Sequence, residues 1–149
     1  MIAVASDPNV PQFMADEIRA KLSALADPEF TVAQGWIAGR EWSPPPSNPN
    51  QTPPKWQIVI RDDGIADGEL LTGDCSLGVS VLAGSKQNPE PARRLSVIVK
   101  KIIKQTPRAE PGNPVAAVTS FLGPYAVDDP STYARRYMAV TLSVVGIPS

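Results

Sequence analysis

A proline-rich segment at residues 43–54, with the sequence SPPPSNPNQTPP, constrains the fold more than any other feature of the chain. Six of its twelve residues are proline. Proline lacks the backbone N–H that a helix or a sheet requires, so we expect an extended arm that is partly polyproline II. The packed elements must form on either side of this arm. At 149 residues, the chain is predicted to be a single domain over residues 1–149 with the arm attached.

One helix and one strand are predicted before the arm. Asp7 and Pro8 suit the first positions of a helix, and apolar residues then recur at spacings of three and four. The pattern predicts that this helix ends before Asp27 and Pro28. Residues 30–42 combine β-branched and aromatic residues with two glycines, which favours a bent or bulged strand. The apolar stripe of the helix consists of Met14, Ile18, Leu22 and Leu25.

Four strands are predicted after the arm. WQIVIR at residues 56–61 alternates apolar and other side chains, and residues 77–83 form a second candidate strand. The connection between them is rich in Asp and Gly, which favours two antiparallel neighbours joined by a long turn. Residues 115–122 read as a third strand. Residues 133–146 complete the set with a regular alternation of apolar and polar residues.

A second helix, between these two pairs of strands, is the clearest element of the sequence. Asn88 is predicted as its N-cap and prolines occupy its first turn. The element order is therefore α-β-β-β-α-β-β. This order predicts an α+β fold, with a mainly antiparallel sheet of four to five strands and two helices on one face. The apolar stripe of the second helix consists of Leu95, Ile98, Val99, Ile102 and Ile103.

The chemistry available to the chain is limited by what its composition lacks. There is no histidine, and Cys75 is the only cysteine, which removes the usual general base, the common nucleophile pairs and any CxxC metal site. A net charge of -1 argues against a general nucleic-acid binder or a polybasic membrane-surface protein. The N-terminus has no signal-peptide pattern, so we expect an unexported chain without membrane contact. We therefore expect no enzyme, no catalytic residues, no cofactor and no bound metal.

Adjacent carboxylates occur twice, as Asp62–Asp63 and as Asp128–Asp129. Successive residues of an extended chain project to opposite faces, so neither pair can converge on one substrate while a strand continues. Asp before Gly or Pro favours a turn, which is the interpretation we prefer for both pairs. The further carboxylates between residues 62 and 74 lack the spacing of an EF-hand, so a solvated loop is favoured over a calcium site.

Residues 78–86, GVSVLAGSK, nearly match a phosphate-binding loop. The motif requires four residues between its glycines and a lysine directly after the second glycine. Here five residues separate the glycines, and Ser85 precedes Lys86. A turn before a helix is therefore favoured over a small nucleotide-binding enzyme, which stays as an alternative.

Charge is distributed unevenly along the chain. Residues 86–108 contain seven basic side chains against Glu90 alone, a net charge of +6 that leaves -7 for the remainder. A solvated helix face is one interpretation, because cations near a helix C-terminus are favourable. Contact with an acidic partner is the second, and a nucleic-acid-binding module is the third. The candidate contact residues on this helix are Arg93, Arg94, Lys100, Lys101 and Lys104.

Trp42 lies beside the proline-rich arm. Tryptophan is enriched among the residues that dominate protein interfaces, so Trp42 is suited to anchor the arm on a neighbouring subunit. Trp56 is expected in the core instead. The candidate contact residues in and beside the arm are Trp42, Pro44, Pro45 and Pro46.

Several segments together resemble the tail terminator proteins of long, non-contractile-tailed phages of actinobacteria, which are siphovirus-type phages. The segments are the second helix, WQIVIRDDG at residues 56–64, LGVSVLAGS at 77–85 and GPYAVDDPSTYARRYMAVTLSVVG at 123–146. The resemblance covers most of the chain and rests on element order and strand patterns. It contains no catalytic signature, and the arm at residues 43–54 lies outside it.

The resemblance implies a subunit of a homo-hexameric ring on the head-proximal end of the tail tube. Such a ring ends tube growth and joins the major tail tube protein to a head-completion or stopper protein. DNA passes through its lumen without specific binding. The implied location is the tail–neck junction of the virion, after synthesis in the cytoplasm of the host bacterium. The alternative within the same class is another neck component, such as a head–tail adaptor or a tail completion protein.

Overall fold

The fold is α+β, with the predicted order α-β-β-β-α-β-β flanked by two very short strands. The computed structural model describes residues 5–6, 10–38, 54–65, 72–108, 113–145 and 147–148. The elements are β1 (Ala5–Ser6), α1 (Val10–Leu25), a 3-10 turn (Val32–Gln34), β2 (Gly35–Ala38), β3 (Trp56–Ile65), β4 (Thr72–Ala83), α2 (Glu90–Lys104), β5 (Val115–Val127), β6 (Ala134–Val145) and β7 (Ile147–Pro148).

The main sheet has five strands in the order β2-β3-β4-β6-β5. All neighbours are antiparallel except β2 and β3, which pair in parallel with Ile37 opposite Ile58. A parallel pair requires a crossover of a dozen or more residues, and residues 39–55, which contain the whole arm, satisfy that need. The prediction of a mainly antiparallel sheet is confirmed. Strands β1 and β7 form a separate antiparallel pair.

Both helices lie on one face of this sheet, as predicted. Helix α1 contacts β2 and β3, helix α2 contacts β4, β5 and β6, and the helices contact each other. Because strand residues alternate between faces, every second residue of the central strands enters the core, and each such side chain contributes about 1.5–3 kcal/mol. The buried residues of the central strands on this face include Trp56, Ile58, Ile60, Leu77, Val79, Val81, Met138, Val140, Leu142 and Val144.

The predicted apolar stripe of helix α1 is buried as expected, except at its last residue. Met14, Ile18 and Leu22 are buried, whereas Leu25 is 57% exposed. Leu25 is the final residue of the helix, and the backbone turns away at Ala26, where φ is 53°. The helix therefore ends before Asp27, as predicted. Asp7 and Pro8 lie outside the described residues.

Helix α2 confirms its stripe but begins later than predicted. Leu95, Val99, Ile102 and Ile103 are buried, and Ile98 packs partly against the core. The prediction of Asn88 as the N-cap is wrong, because Pro89 occupies that position and makes no side-chain cap. The Asn88 N–H instead donates to the backbone oxygen and the Oγ of Ser85, both at 3.0 Å. This turn delays the helix until Glu90.

Strand β3 runs through the Asp62–Asp63 pair, so the prediction of a turn at that pair is wrong. Asp62 pairs with Leu77, and Ile65 pairs with Cys75 after an irregularity between them. The pairing with β4 continues past the acidic residues and absorbs them in a β-bulge. Long-range strand pairing has therefore overridden the local turn preference of Asp and Gly.

Three other strand boundaries differ from the predicted ones. Strand β2 (Gly35–Ala38) begins at Gly35 rather than at residue 30, because a 3-10 turn precedes it, and residues 39–42 of the predicted strand lie outside the described residues. Strand β4 begins at Thr72 rather than at residue 77, and β5 continues to Val127 rather than ending at residue 122. Both extensions follow from pairing with β6, which spans 12 residues and supports a neighbour on each side.

The two outer strands of the main sheet are each modified at the edge. In β2, the Arg19 side chain of α1 donates a 3.4 Å hydrogen bond to the backbone oxygen of Ile37. In β5, three register irregularities interrupt the pairing with β6. Short length, covering side chains and bulges are the usual means by which a sheet edge is made unsuitable for adding a further strand.

Candidate interaction surfaces

The basic residues of α2 were the main predicted contact site, and four of the five interact with other parts of the same chain. Arg93 pairs with Glu90 one turn earlier, with hydrogen bonds from Arg93 Nε to the carboxylate at 2.9 and 3.0 Å. The Arg93 guanidinium lowers the pKa of Glu90. Both side chains are more than half exposed, so this pair adds little to stability.

Arg94 connects α2 to the loop that follows α1. Its guanidinium forms ion pairs with Asp27 and with Glu29, the latter at 3.1 Å, and its Cζ lies 5.3 Å from the centre of the Phe30 ring. The hydrogen bond from Arg94, followed by one from the backbone of Glu29, lowers the pKa of Asp27 below its ordinary value. Arg94 is therefore a fixed part of the packing between the two helices.

Lys100 and Lys104 connect α2 to strand β5. The Lys100 ammonium donates a 3.1 Å hydrogen bond to the backbone oxygen of Gly123 and lies 5.1 Å from the centre of the Phe121 ring. The Lys104 ammonium lies 6.0 Å from the same ring. These distances are typical of cation–π contacts. Both lysines therefore hold the helix against the edge of the sheet.

Lys101 is the remaining predicted contact residue, and it lines a groove between α1 and α2. The groove has a volume of about 680 Å³, and its apolar wall includes Leu25, Ile98 and Ile102. Lys21 of α1 also lines it. We refer to this cavity as the α1–α2 groove.

A smaller cavity of about 140 Å³ lies on the face of the sheet opposite the helices. Arg135 Nη2 donates to Ser80 Oγ at 2.9 Å, and an oxygen of the buried Asp129 lies 3.6 Å from Arg135. Asp129 also accepts a 2.9 Å hydrogen bond from the backbone N–H of Ser131. The predicted turn at Asp128–Asp129 is thus confirmed. The polar groups of this cavity fix that turn on the sheet.

The near-match to a phosphate loop has no loop geometry. Residues 78–83 belong to β4, where Val79 pairs with both Ile60 and Met138. The backbone N–H groups of a strand flanked on both sides are used in the sheet, so they cannot surround a phosphate as the motif requires.

The described part of the chain shows neither a metal-binding group nor a membrane-spanning helix. Within it, no three His, Cys, Asp or Glu side chains are grouped so that they could hold a metal ion. Likewise, none of its helices is both long and apolar enough to cross a membrane.

The predicted contacts in and beside the arm, Trp42, Pro44, Pro45 and Pro46, lie outside the described residues. The last residue of the arm, Pro54, is described, and its backbone oxygen accepts a hydrogen bond from the Tyr133 hydroxyl. Trp56 is only 1% exposed, which confirms its predicted place in the core. Its Nε1 donates a 3.2 Å hydrogen bond to the backbone oxygen of Thr31.

Comparison with known proteins finds a similar fold. No family model matches the sequence, and no curated protein matches it. A chain in the solved structure described as "Virion of native gene transfer agent (GTA) particle" matches with a TM-score of 0.54. The fold is shared. The match covers 89% of this chain and 91% of the other, at 16% sequence identity.

Sequence reasoning missed the α1–α2 groove. Lys21 and Leu25 lie on α1, whereas the uneven charge of the sequence points to α2 alone. The sequence carried no separate signal for the groove, because Leu25 continues the α1 stripe at helical spacing and was predicted as part of it. The exposure of Leu25, together with the partly exposed Ile98, shows that the two helices leave apolar surface between them.

Proposed function

We propose that this chain is a structural protein of a phage-like virion. The observation that carries the proposal is the fold likeness to a chain of the gene transfer agent virion, which covers about nine-tenths of both chains. Because the likeness extends over nearly the whole of each chain, the fold itself, rather than a shared fragment, is what the two have in common. The resemblance of the sequence to tail terminator proteins independently favours the same class.

Within that class, we propose the role of tail terminator. In this role the chain forms a homo-hexameric ring on the head-proximal end of the tail tube. The ring contacts the major tail tube protein on one side and a head-completion or stopper protein on the other. No catalysis is needed for this function, which depends on the shape and charge of the subunit surfaces. Trp42, Pro44, Pro45 and Pro46 are proposed as additional contacts between neighbouring subunits or with a partner.

The placement of the α2 cations supports passage of DNA without specific binding. A protein that neutralises phosphates with Lys or Arg gains affinity through counterion release, and such affinity would resist movement of DNA through a lumen. Arg93 and Arg94 are paired with carboxylates, and Lys100 is held by Gly123 and Phe121. These contacts leave Lys101 as the α2 residue of the predicted set with no ion pair or ring contact among the described residues.

Deletion of the gene from the particle-producing strain tests the role directly, by electron microscopy of the tails. A chain that ends tube growth should, when absent, give tails of variable and excessive length without attached heads. Expression of the wild-type chain in trans should restore uniform length. Tails of normal length that fail to join heads would instead identify a head–tail adaptor or tail completion protein. Normal, infectious or transducing particles would exclude the whole class.

A further inference from the structure

The α1–α2 groove combines an apolar wall with two lysines that make no ion pair among the described residues. Leu25 is 57% exposed and contributes to the wall with Ile98. Lys21 and Lys101 come from the two different helices that form the groove. Arg94 and Asp27 also line it and form an ion pair with each other, and Glu29 is a second partner of Arg94, so neither side chain is available to an occupant. The groove therefore suits a segment that carries both apolar side chains and carboxylates.

The chain contains one segment with that composition. Residues 62–74, DDGIADGELLTGD, hold five carboxylates and no basic residue. The same segment contains Ile65, Leu70 and Leu71, which match the apolar wall of the groove. Like charges are costly in a contact, whereas an acidic segment against two lysines favours encounter and fixes orientation.

We propose that the α1–α2 groove of one copy receives the acidic segment 62–74 of a second copy. This inference rests on the proposed ring function, because it supplies the contact by which neighbouring subunits recognise each other. The occupant is a second copy of this chain. Binding of a different virion protein in the groove is an outcome that the experiment below would detect as a failure of the inference.

Two complementary features in different parts of the chain produce a head-to-tail contact when each copy binds the next. Such a contact is heterologous, since each copy uses one surface toward one neighbour and a different surface toward the next. Heterologous contacts give a ring when the rotation between copies closes. Repeated from copy to copy, the groove-to-segment contact agrees with a ring, whereas a reciprocal exchange of the same contact between two copies would give a two-fold dimer of lower mass.

Charge reversal in the groove tests this contact by sedimentation of the purified full chain over a range of concentrations. Lys21→Glu combined with Lys101→Glu should raise the dissociation constant of the oligomer about ten-fold or more, because two attractive contacts become repulsive. The matched control is Lys55→Glu with Lys86→Glu, which changes net charge equally at exposed lysines outside the groove lining. The control should assemble within about two-fold of the wild type.

A compensating change identifies the occupant. On its own, the variant Asp67→Lys with Glu69→Lys in the acidic segment should weaken assembly. Combined with Lys21→Glu and Lys101→Glu in the groove, it should restore assembly. Unchanged assembly of the groove variant, failure of the combined variant to recover, or a wild-type chain that stays monomeric at all concentrations and on tail tubes would each overturn the inference. Circular dichroism during heating confirms that every variant is folded.

The two proposals fail in different experiments. If deletion of the gene leaves tail length normal while the charge-reversal rescue succeeds, the tail terminator role is wrong and the groove contact stands. If deletion gives overlong tails while the groove variant assembles as the wild type, the role stands and the groove contact is wrong.

Discussion

At the scale of single residues, the basic side chains of α2 serve mainly to hold the fold together. A run of lysines and arginines on a helix is often a solvated surface, and sequence alone does not distinguish that case from cations bound to neighbouring elements. The deciding contacts are to residues far along the chain, such as Asp27 for Arg94 and Gly123 for Lys100. Adjacent lysines, Lys100 and Lys101, consequently have different roles although their sequence context is nearly the same.

Lys100→Met is expected to lower the free energy of unfolding by about 1–2 kcal/mol. Methionine keeps an unbranched apolar side chain but removes the ammonium that bonds to Gly123 and lies over Phe121. Lys101→Met is the matched control and should change the free energy by less than about 0.5 kcal/mol, since Lys101 is exposed. Urea unfolding of both variants measures the difference. Equal effects would contradict the assigned role of Lys100.

Asp27→Asn is expected to change how stability depends on pH. The pKa of Asp27 is lower in the folded chain than its ordinary value of 3.8, so its charged form stabilises the fold above that value. This contribution is lost as the pH falls through the lower folded pKa. The wild type should therefore be more stable than the variant at pH 7, and the gap should close as the pH falls from 3.8 through the lower folded pKa. The asparagine side chain keeps an oxygen that can accept the Glu29 N–H, so the comparison isolates the charge.

Thermal unfolding of both proteins across this pH range provides the measurement. The control repeats the comparison in an Arg94→Gln background, where removal of the arginine should abolish most of the effect of Asp27→Asn. A gap that stays constant from pH 7 to below the folded pKa would contradict the ion pair as its cause.

At the scale of elements, pattern predicted the helices better than the strand boundaries. The α2 stripe repeats over three turns, and its burial depends only on the helix lying on an apolar sheet. The extent of β3 depends instead on a partner strand that is distant in sequence. Asp62, Asp63 and Gly64 are favourable in a turn, but pairing with β4 continues across them. The local turn preference of these residues therefore failed to predict the end of a strand where a long partner strand continued the pairing.

The parallel strand β2 was also beyond prediction from sequence. Its pairing direction depends on where the chain returns after the arm, which no local pattern encodes. The sequence likewise predicted the helix that carries the candidate contact residues, but not which of their side chains bind within the chain. Those contacts involve the loop after α1 and strand β5, and they form only once the elements are packed.

Gly35→Ala is expected to destabilise the junction of β2 and β3 by about 3 kcal/mol, near the upper end of the usual cost of overpacking. A Cβ at Gly35 would lie 2.0 Å from the ring of Trp56, which is buried and hydrogen-bonded to Thr31 and so cannot move aside. Gly78→Ala is the matched control in β4. There the Cβ would meet the hydroxyl end of Tyr137 at 2.6 Å, and a partly exposed side chain can shift.

Chemical denaturation of the two alanine variants checks this prediction. The cost at Gly78 should be about 1 kcal/mol or less. A Gly35→Ala chain as stable as the control would show that the Trp56 ring has room to relax.

At the scale of the whole molecule, the charge asymmetry of the sequence becomes a spatial one. Most of the basic residues between 86 and 108 lie on α2, in the helix layer, whereas five of the carboxylates lie in the sequence segment 62–74, from the end of β3 to the start of β4. Part of the positive charge is neutralised within the chain, and Lys21 and Lys101 remain beside an apolar groove. Among the described residues, the positive charge of α2 that is available to a partner is therefore smaller than the sequence suggests.

The modified edges of the main sheet affect whether subunits aggregate before they assemble. Arg19 bonds to the Ile37 carbonyl on one edge, and bulges interrupt β5 on the other. Exposed regular edges are templates for edge-to-edge aggregation, and these modifications disfavour such pairing. If it is a virion subunit, copies must wait in the crowded host cell until a tube end becomes available. Because the sheet edges do not readily accept a further strand, free subunits can accumulate without aggregating and stay available for assembly.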